Sequence, residues 1–78
     1  MKKIEILGTG CAKCQRLEKN AKKAVKELGI DAEIEEVQDL AEISARGVMT
    51  TPGLAIDGET ISTGKVLNPK QIKELLKD

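Results

Sequence analysis

Lys2–Lys3–Ile4–Glu5–Ile6–Leu7–Gly8–Thr9–Gly10–Cys11–Ala12–Lys13–Cys14 decides how the rest of the chain is arranged. Ile4 and Ile6 alternate with Lys3 and Glu5, the period of a strand over Lys2–Leu7. Gly8–Thr9–Gly10 breaks that strand. Behind the break the period changes. Leu17, Ala21, Ala24, Val25 and Leu28 fall on one face of a helix from about Ala12 to Leu28, and Gly29 is placed to stop it. Both cysteines therefore stand where a strand turns into a helix.

Further along, Ile30, Ala32 and Ile34 alternate with acids and predict a second strand. A strand, a helix and a strand in this order predict a parallel βαβ unit. The acidic face of the second strand suits a sheet edge, because repelling charges discourage pairing with other chains. Asp39 and Glu42 have capping-box spacing and predict a short helix reaching about Arg46, with Gly47 closing it. Val48 to Thr51 is a loop ending at Pro52. Leu54–Ile56 and Glu59–Ile61 flank Asp57–Gly58, a strong signal for a hairpin with a type I′ turn. Asn68, Pro69 and Gln71 open a last helix as cap, first-turn proline and capping-box partner. Leu67 and Ile72 have the spacing of a hydrophobic staple, and Ile72, Leu75 and Leu76 make the apolar stripe. The predicted order is β-α-β-α-β-β-α, an α/β fold with a four-stranded mixed sheet. The first strand lies inside, and three helices cover both faces. Residues 1–78 are expected to form one domain without linker or repeat.

Composition narrows the function. The 78 residues include no Phe, Trp or Tyr, which excludes base-stacking platforms and aromatic-lined pockets. Thirteen basic and thirteen acidic residues balance, without the excess expected of a nucleic-acid binder. The balance is uneven along the chain. Residues 12–28 hold six Lys or Arg against two Glu, and residues 30–43 hold six acids and no base. Solvated faces of a helix and an edge strand account for both runs; a surface dipole orienting a protein partner is the sharper reading. No apolar segment has the length of a signal peptide or a membrane helix, so the chain is expected in the cytoplasm.

The chemistry lies in Cys11–Ala12–Lys13–Cys14. CxxC beside a βαβ pattern in a cytosolic chain is a redox signature. One helical turn brings the sulfurs within bridging reach. Cys11 at the helix N-terminus meets unpaired amides and the positive end of the dipole, which favour a thiolate. Lys13 is a candidate modulator of that thiol. Cys14, one turn in, is placed to resolve a mixed disulfide. A structural staple is a poor alternative, since so short a loop stabilises by only about 2 kcal/mol. Closed zinc sites need four ligands, and the chain has two Cys and no His. Cu(I) transfer is the rival, because soft thiolates select that ion. The glycine-flanked CxxC resembles the loop of small copper chaperones. Those domains end on a strand, however, and carry Met where Thr9 stands here.

The chain resembles the thioredoxin/glutaredoxin superfamily, and within it the small archaeal and bacterial redox-active disulfide proteins. Three stretches carry the likeness: Gly10–Cys14 at the strand-to-helix junction, Gly47–Val48–Met49–Thr50–Thr51–Pro52, and the Asp57–Gly58 hairpin followed by Gly64 and a terminal helix. The resemblance implies a minimal thioredoxin fold and a thiol–disulfide oxidoreductase in which Cys11 is the nucleophile and Cys14 resolves. It implies a cis Pro52 beside the cysteines, with Thr51 presenting its backbone to an extended substrate. Gly10 and Gly64 join the expected substrate-binding set. Glu5 stands six residues before Cys11, where thioredoxins keep a buried acid; a solvent-facing strand residue is the plain reading, and the sharper one is that burial raises its pKa and makes it a proton acceptor. The implied partners are a disulfide-containing protein or small thiol and a dithiol reductase as electron donor, without nucleic acid or membrane. No cofactor beyond the Cys11–Cys14 disulfide and no metal are expected, and the chain should act as a monomer. Ala12–Lys13 between the cysteines, and Gly10 where thioredoxins keep Trp, depart from the usual pattern. The single glycine in Ser62–Thr63–Gly64–Lys65 departs from the glutathione-binding turn of glutaredoxins.

Overall fold

Strand β1 (Lys2–Leu7) pairs on both sides, so the sheet grows outward from it in the order β2-β1-β3-β4. The computed structural model describes residues 2–77. β2 (Ala32–Val37) runs parallel to β1, with Lys2 opposite Ala32 and Leu7 opposite Val37. β3 (Gly53–Ile56) is antiparallel to β1, and β4 (Glu59–Thr63) is antiparallel to β3. These directions bring the C-terminal ends of β1, β2 and β4 and the N-terminal end of β3 to one end of the sheet. Four connections therefore cluster there: Gly8 to Cys11, Gln38 to Asp39, residues 47–52, and Gly64 to Lys65.

Side-chain alternation divides the core in two. Ile4 and Ile6 of β1 and Leu54 and Ile56 of β3 face one side. Helix α1 (Ala12–Leu28) lays Leu17, Ala21 and Ala24 on them, and α3 (Pro69–Leu76) adds Ile72 and Leu76. Leu7, Val37 and Ala55 face the other side, covered by Ile43 of α2 (Leu40–Ala45) and by Val48. Leu17 is fully enclosed, and burying such a side chain contributes about 2 kcal/mol. Without aromatic rings the layers close through Ile, Leu, Val and Ala, and small Ala21 and Ala24 let α1 approach the sheet.

Helix ends follow the local chemistry. Gly29 ends α1 with φ +65°, its N–H returned to the Val25 and Lys26 carbonyls. Asn68 and Gln71 form the expected reciprocal capping box at α3. At α2 the box is only half made. Asp39 accepts from the N–H groups of Ala41 and Glu42, but the Glu42 carboxylate turns to Arg46 Nε at 3.1 Å. The turn between β3 and β4 has φ +52° at Asp57 and +84° at Gly58, the two positive values of type I′.

Two further expectations shift. The second strand begins at Ala32 and extends to Val37, because the ladder with β1 continues to Leu7 and Ile30–Asp31 serve as connection. Leu75 is not core but 39% exposed, since α3 turns Ile72 and Leu76 inward.

Candidate active site

Cys11 is the N-cap of α1. Its extended backbone lets the side chain fold back over the first turn, where Sγ accepts the Cys14 N–H at 3.4 Å. Cys14 Sγ lies 2.7 Å from Cys11 Sγ. A disulfide is about 2.05 Å long, so bond formation requires less than an ångström of travel. Exposure separates the two: Cys11 is open to solvent and Cys14 is buried, with 4% of its surface accessible.

The same geometry drives their acidities apart. The hydrogen bond from the Cys14 thiol, then the Cys14 backbone N–H, hold the Cys11 thiol below its ordinary value. Burial, then the same bond to Cys11, pushes Cys14 up. The exposed sulfur is thus the more acidic of the two, and the bond between them favours its anion. Lys13 contributes to Cys11 through its backbone N–H, while its side chain is exposed.

Glycines and amides shape the surroundings. Gly10 has φ +85°, and its carbonyl accepts from Gln15 Nε2 at 3.1 Å, which ties the loop to α1. Gly8 is buried against Cys14, and a Cβ built there would collide with the Cys14 sulfur. The glycine between strand and CxxC is a signal for this contact.

The Thr51–Pro52 bond is cis, as the resemblance implied. Pro52 is buried. A Cβ at Gly8 would also meet Thr51 Cβ at 3.8 Å, so Thr51 stands beside the junction that carries the cysteines. Gly64 donates its N–H to the Pro52 carbonyl at 2.8 Å, and a Cβ there would lie 3.0 Å from Thr50 Cγ2. The backbone N–H and C=O of Thr51 enter no hydrogen bond among the described residues. Cys11, Cys14, Gly10, Thr51, Pro52 and Gly64 therefore share one end of the sheet.

Glu5 is buried, at 4% exposure, rather than facing solvent, and its environment corrects the pKa expectation. Arg46 grips it with two hydrogen bonds of 2.8 Å, Nη1 to Oε1 and Nη2 to Oε2. That fork holds the carboxyl below its ordinary range, outweighing the rise from burial. Glu5 is therefore an ionised partner of Arg46, on the face that α2 covers, and not a protonatable acceptor. Sequence reading missed Arg46. Its one local trace is the Glu42–Arg46 spacing on a helix.

A sheet with helices on both faces and an exposed–buried CxxC pair at a strand-to-helix junction defines a dithiol redox protein. The thioredoxin domain family's profile matches residues 2–77, and the chain belongs to that family. Thioredoxin of Methanothermobacter thermautotrophicus is 54% identical over 76 residues, 97% of this chain and 99% of that protein. Thioredoxin of Methanocaldococcus jannaschii is 53% identical over 74 residues, 95% of this chain and 85% of that protein. The chain is a thiol–disulfide oxidoreductase. The metal-transfer alternative finds no support in the family or in these relatives.

Proposed function

We propose that Cys11 attacks substrate disulfides and Cys14 resolves the product. The opposed environments of the two thiols support this assignment: one is exposed and stabilised as thiolate, the other buried and held as thiol. The Cys11 thiolate forms a bond to one substrate sulfur, and the substrate S–S bond breaks to release the other as thiolate. Cys14 then gives up its proton to that thiolate or to water and attacks Cys11 Sγ. The mixed disulfide breaks, the second substrate sulfur leaves, and two electrons have passed from dithiol to disulfide. A dithiol reductase or a small thiol restores the pair. The redox couple is the chain's own disulfide, and no further cofactor is invoked.

The substrate is a protein or small-molecule disulfide. Thr51 supports an extended substrate, since its backbone donor and acceptor are both free for strand-like pairing. Gly10 and Gly64 complete the proposed substrate-binding set. We place Lys13 in a minor role, through its amide. The chain acts as one domain and a monomer in the cytoplasm, without nucleic-acid or membrane partners. No helix among the described residues is long and apolar enough to cross a membrane.

Serine variants test the assignment. Cys14→Ser should accumulate mixed disulfides on Cys11 when incubated with a disulfide-bonded peptide, seen by intact mass. Cys11→Ser should accumulate few. Equal trapping by both variants contradicts it.

A further inference from the structure

Arg46 is the last turn of α2 and the residue from which the loop of residues 47–52 departs. It is fastened from three directions. Its guanidinium holds Glu5 of the central strand β1 in a two-pronged contact of 2.8 Å on each arm. Its Nε donates to Glu42 of its own helix at 3.1 Å. Its carbonyl accepts from Thr60 Oγ1 of the edge strand β4 at 3.1 Å. One residue thereby joins the middle of the sheet, the covering helix and the far strand. A planar fork against a carboxylate fixes direction as well as distance, which a lysine cannot do.

The loop beyond it has little else to hold its middle. Val48 is buried and its N–H returns to Ile43, but Met49 is 89% exposed and Thr50 is exposed. Thr51 makes no backbone hydrogen bond among the described residues. Order returns only at Pro52, through Gly64. Where Thr51 stands therefore depends on the two ends of the loop, and Arg46, together with buried Val48, sets the first.

We propose that Arg46, clamped to Glu5 and Thr60, is a positioning residue that places the loop of residues 47–52 so that Thr51 meets the substrate backbone. This rests on the reading of Thr51 as the substrate's pairing partner. Displacement of such a loop weakens extended substrates, which need Thr51, and spares small disulfides that meet only Cys11. A displacement of about an ångström at a binding group is enough to cost an order of magnitude or more.

Removing Arg46 alone strands a buried Glu5, and that variant can fail to fold. Glu5→Met with Arg46→Met avoids the stranded charge, because apolar replacements of a buried pair are commonly tolerated. Turnover is followed with dithiothreitol as electron donor on two substrates: a disulfide-bonded peptide with several residues on each side of the bridge, and bis(hydroxyethyl) disulfide. The double variant should raise the peptide KM about tenfold and keep kcat/KM for the small disulfide within about twofold of the parent. Arg46→Lys, which keeps charge without the fork, should fall between. Pro52→Ala is the control for the loop itself. A raised peptide KM in Pro52→Ala with none in the double variant overturns the clamp and leaves the loop reading standing. An unchanged KM in Pro52→Ala overturns the loop reading and the clamp with it. Equal loss on both substrates in the double variant shows general damage and also overturns the clamp.

Discussion

Cys11 and Cys14 are chemically identical side chains that one helical turn makes different. The outer one caps α1 and collects hydrogen bonds that favour its anion; the inner one is walled in against Gly8. The rate of Cys11 alkylation by iodoacetamide should therefore rise with pH and level off at an inflection below 9.0, the ordinary value for a cysteine. Stopped-flow or mass-resolved alkylation of Cys14→Ala would lose the largest cause of that shift, the thiol hydrogen bond, and its inflection should move up. An inflection that does not move would place the effect in the helix terminus alone. Gly8→Ala puts a methyl group into the Cys14 sulfur. It should slow disulfide formation with glutathione disulfide by about tenfold or more, measured by quenched alkylation, because small misplacements at reacting groups are costly.

Elements were legible where a few neighbouring residues decide them. Asn68, Pro69 and Gln71 act within one turn, and the capping box forms as their spacing predicts. Asn68→Ala should cost about 1 kcal/mol. In a chain of this size that lowers the thermal midpoint by about 4–8 °C, readable by circular dichroism. A shift under about one degree would mean the cap is redundant. Other features depend on partners far along the chain and left little trace. β2 takes its limits from β1 rather than from its own alternation, so its start at Ala32 was visible only in the ladder. Glu42 looked like a capping partner because Asp39 lies three residues before it, but Arg46 competes for its carboxylate. Glu5 and Arg46 are 41 residues apart, and no local period joins them. The cysteines, Pro52 and Thr51 were legible through a family pattern; the pair that fixes the loop behind them was not.

At the scale of the whole molecule, β-strand directions gather four loops at one end of the sheet, and chemistry sits there. The opposite end carries the Asp57–Gly58 turn. The Glu5–Arg46 pair ties the end of α2 to the central strand and leaves a pH signature. Glu5's carboxyl in the folded chain titrates below its ordinary 4.5. Its stabilising contribution is thus fully present above 4.5 and is lost as pH falls through the lower folded value. Urea midpoints of the parent should fall over that acid range more steeply than those of Glu5→Met with Arg46→Met. Parallel curves would contradict the ionised pair.

The central claim is that Cys11 and Cys14 form a working redox couple rather than a fixed staple. The most direct test is the equilibrium between dithiol and disulfide across a series of glutathione redox buffers, extended by dithiothreitol buffers at the reducing end, read by alkylation and intact mass. A reversible two-electron transition between about −120 and −270 mV, the span of dithiol oxidoreductases, is predicted. A potential below about −300 mV, where structural disulfides lie, or a pair that never closes, would contradict it.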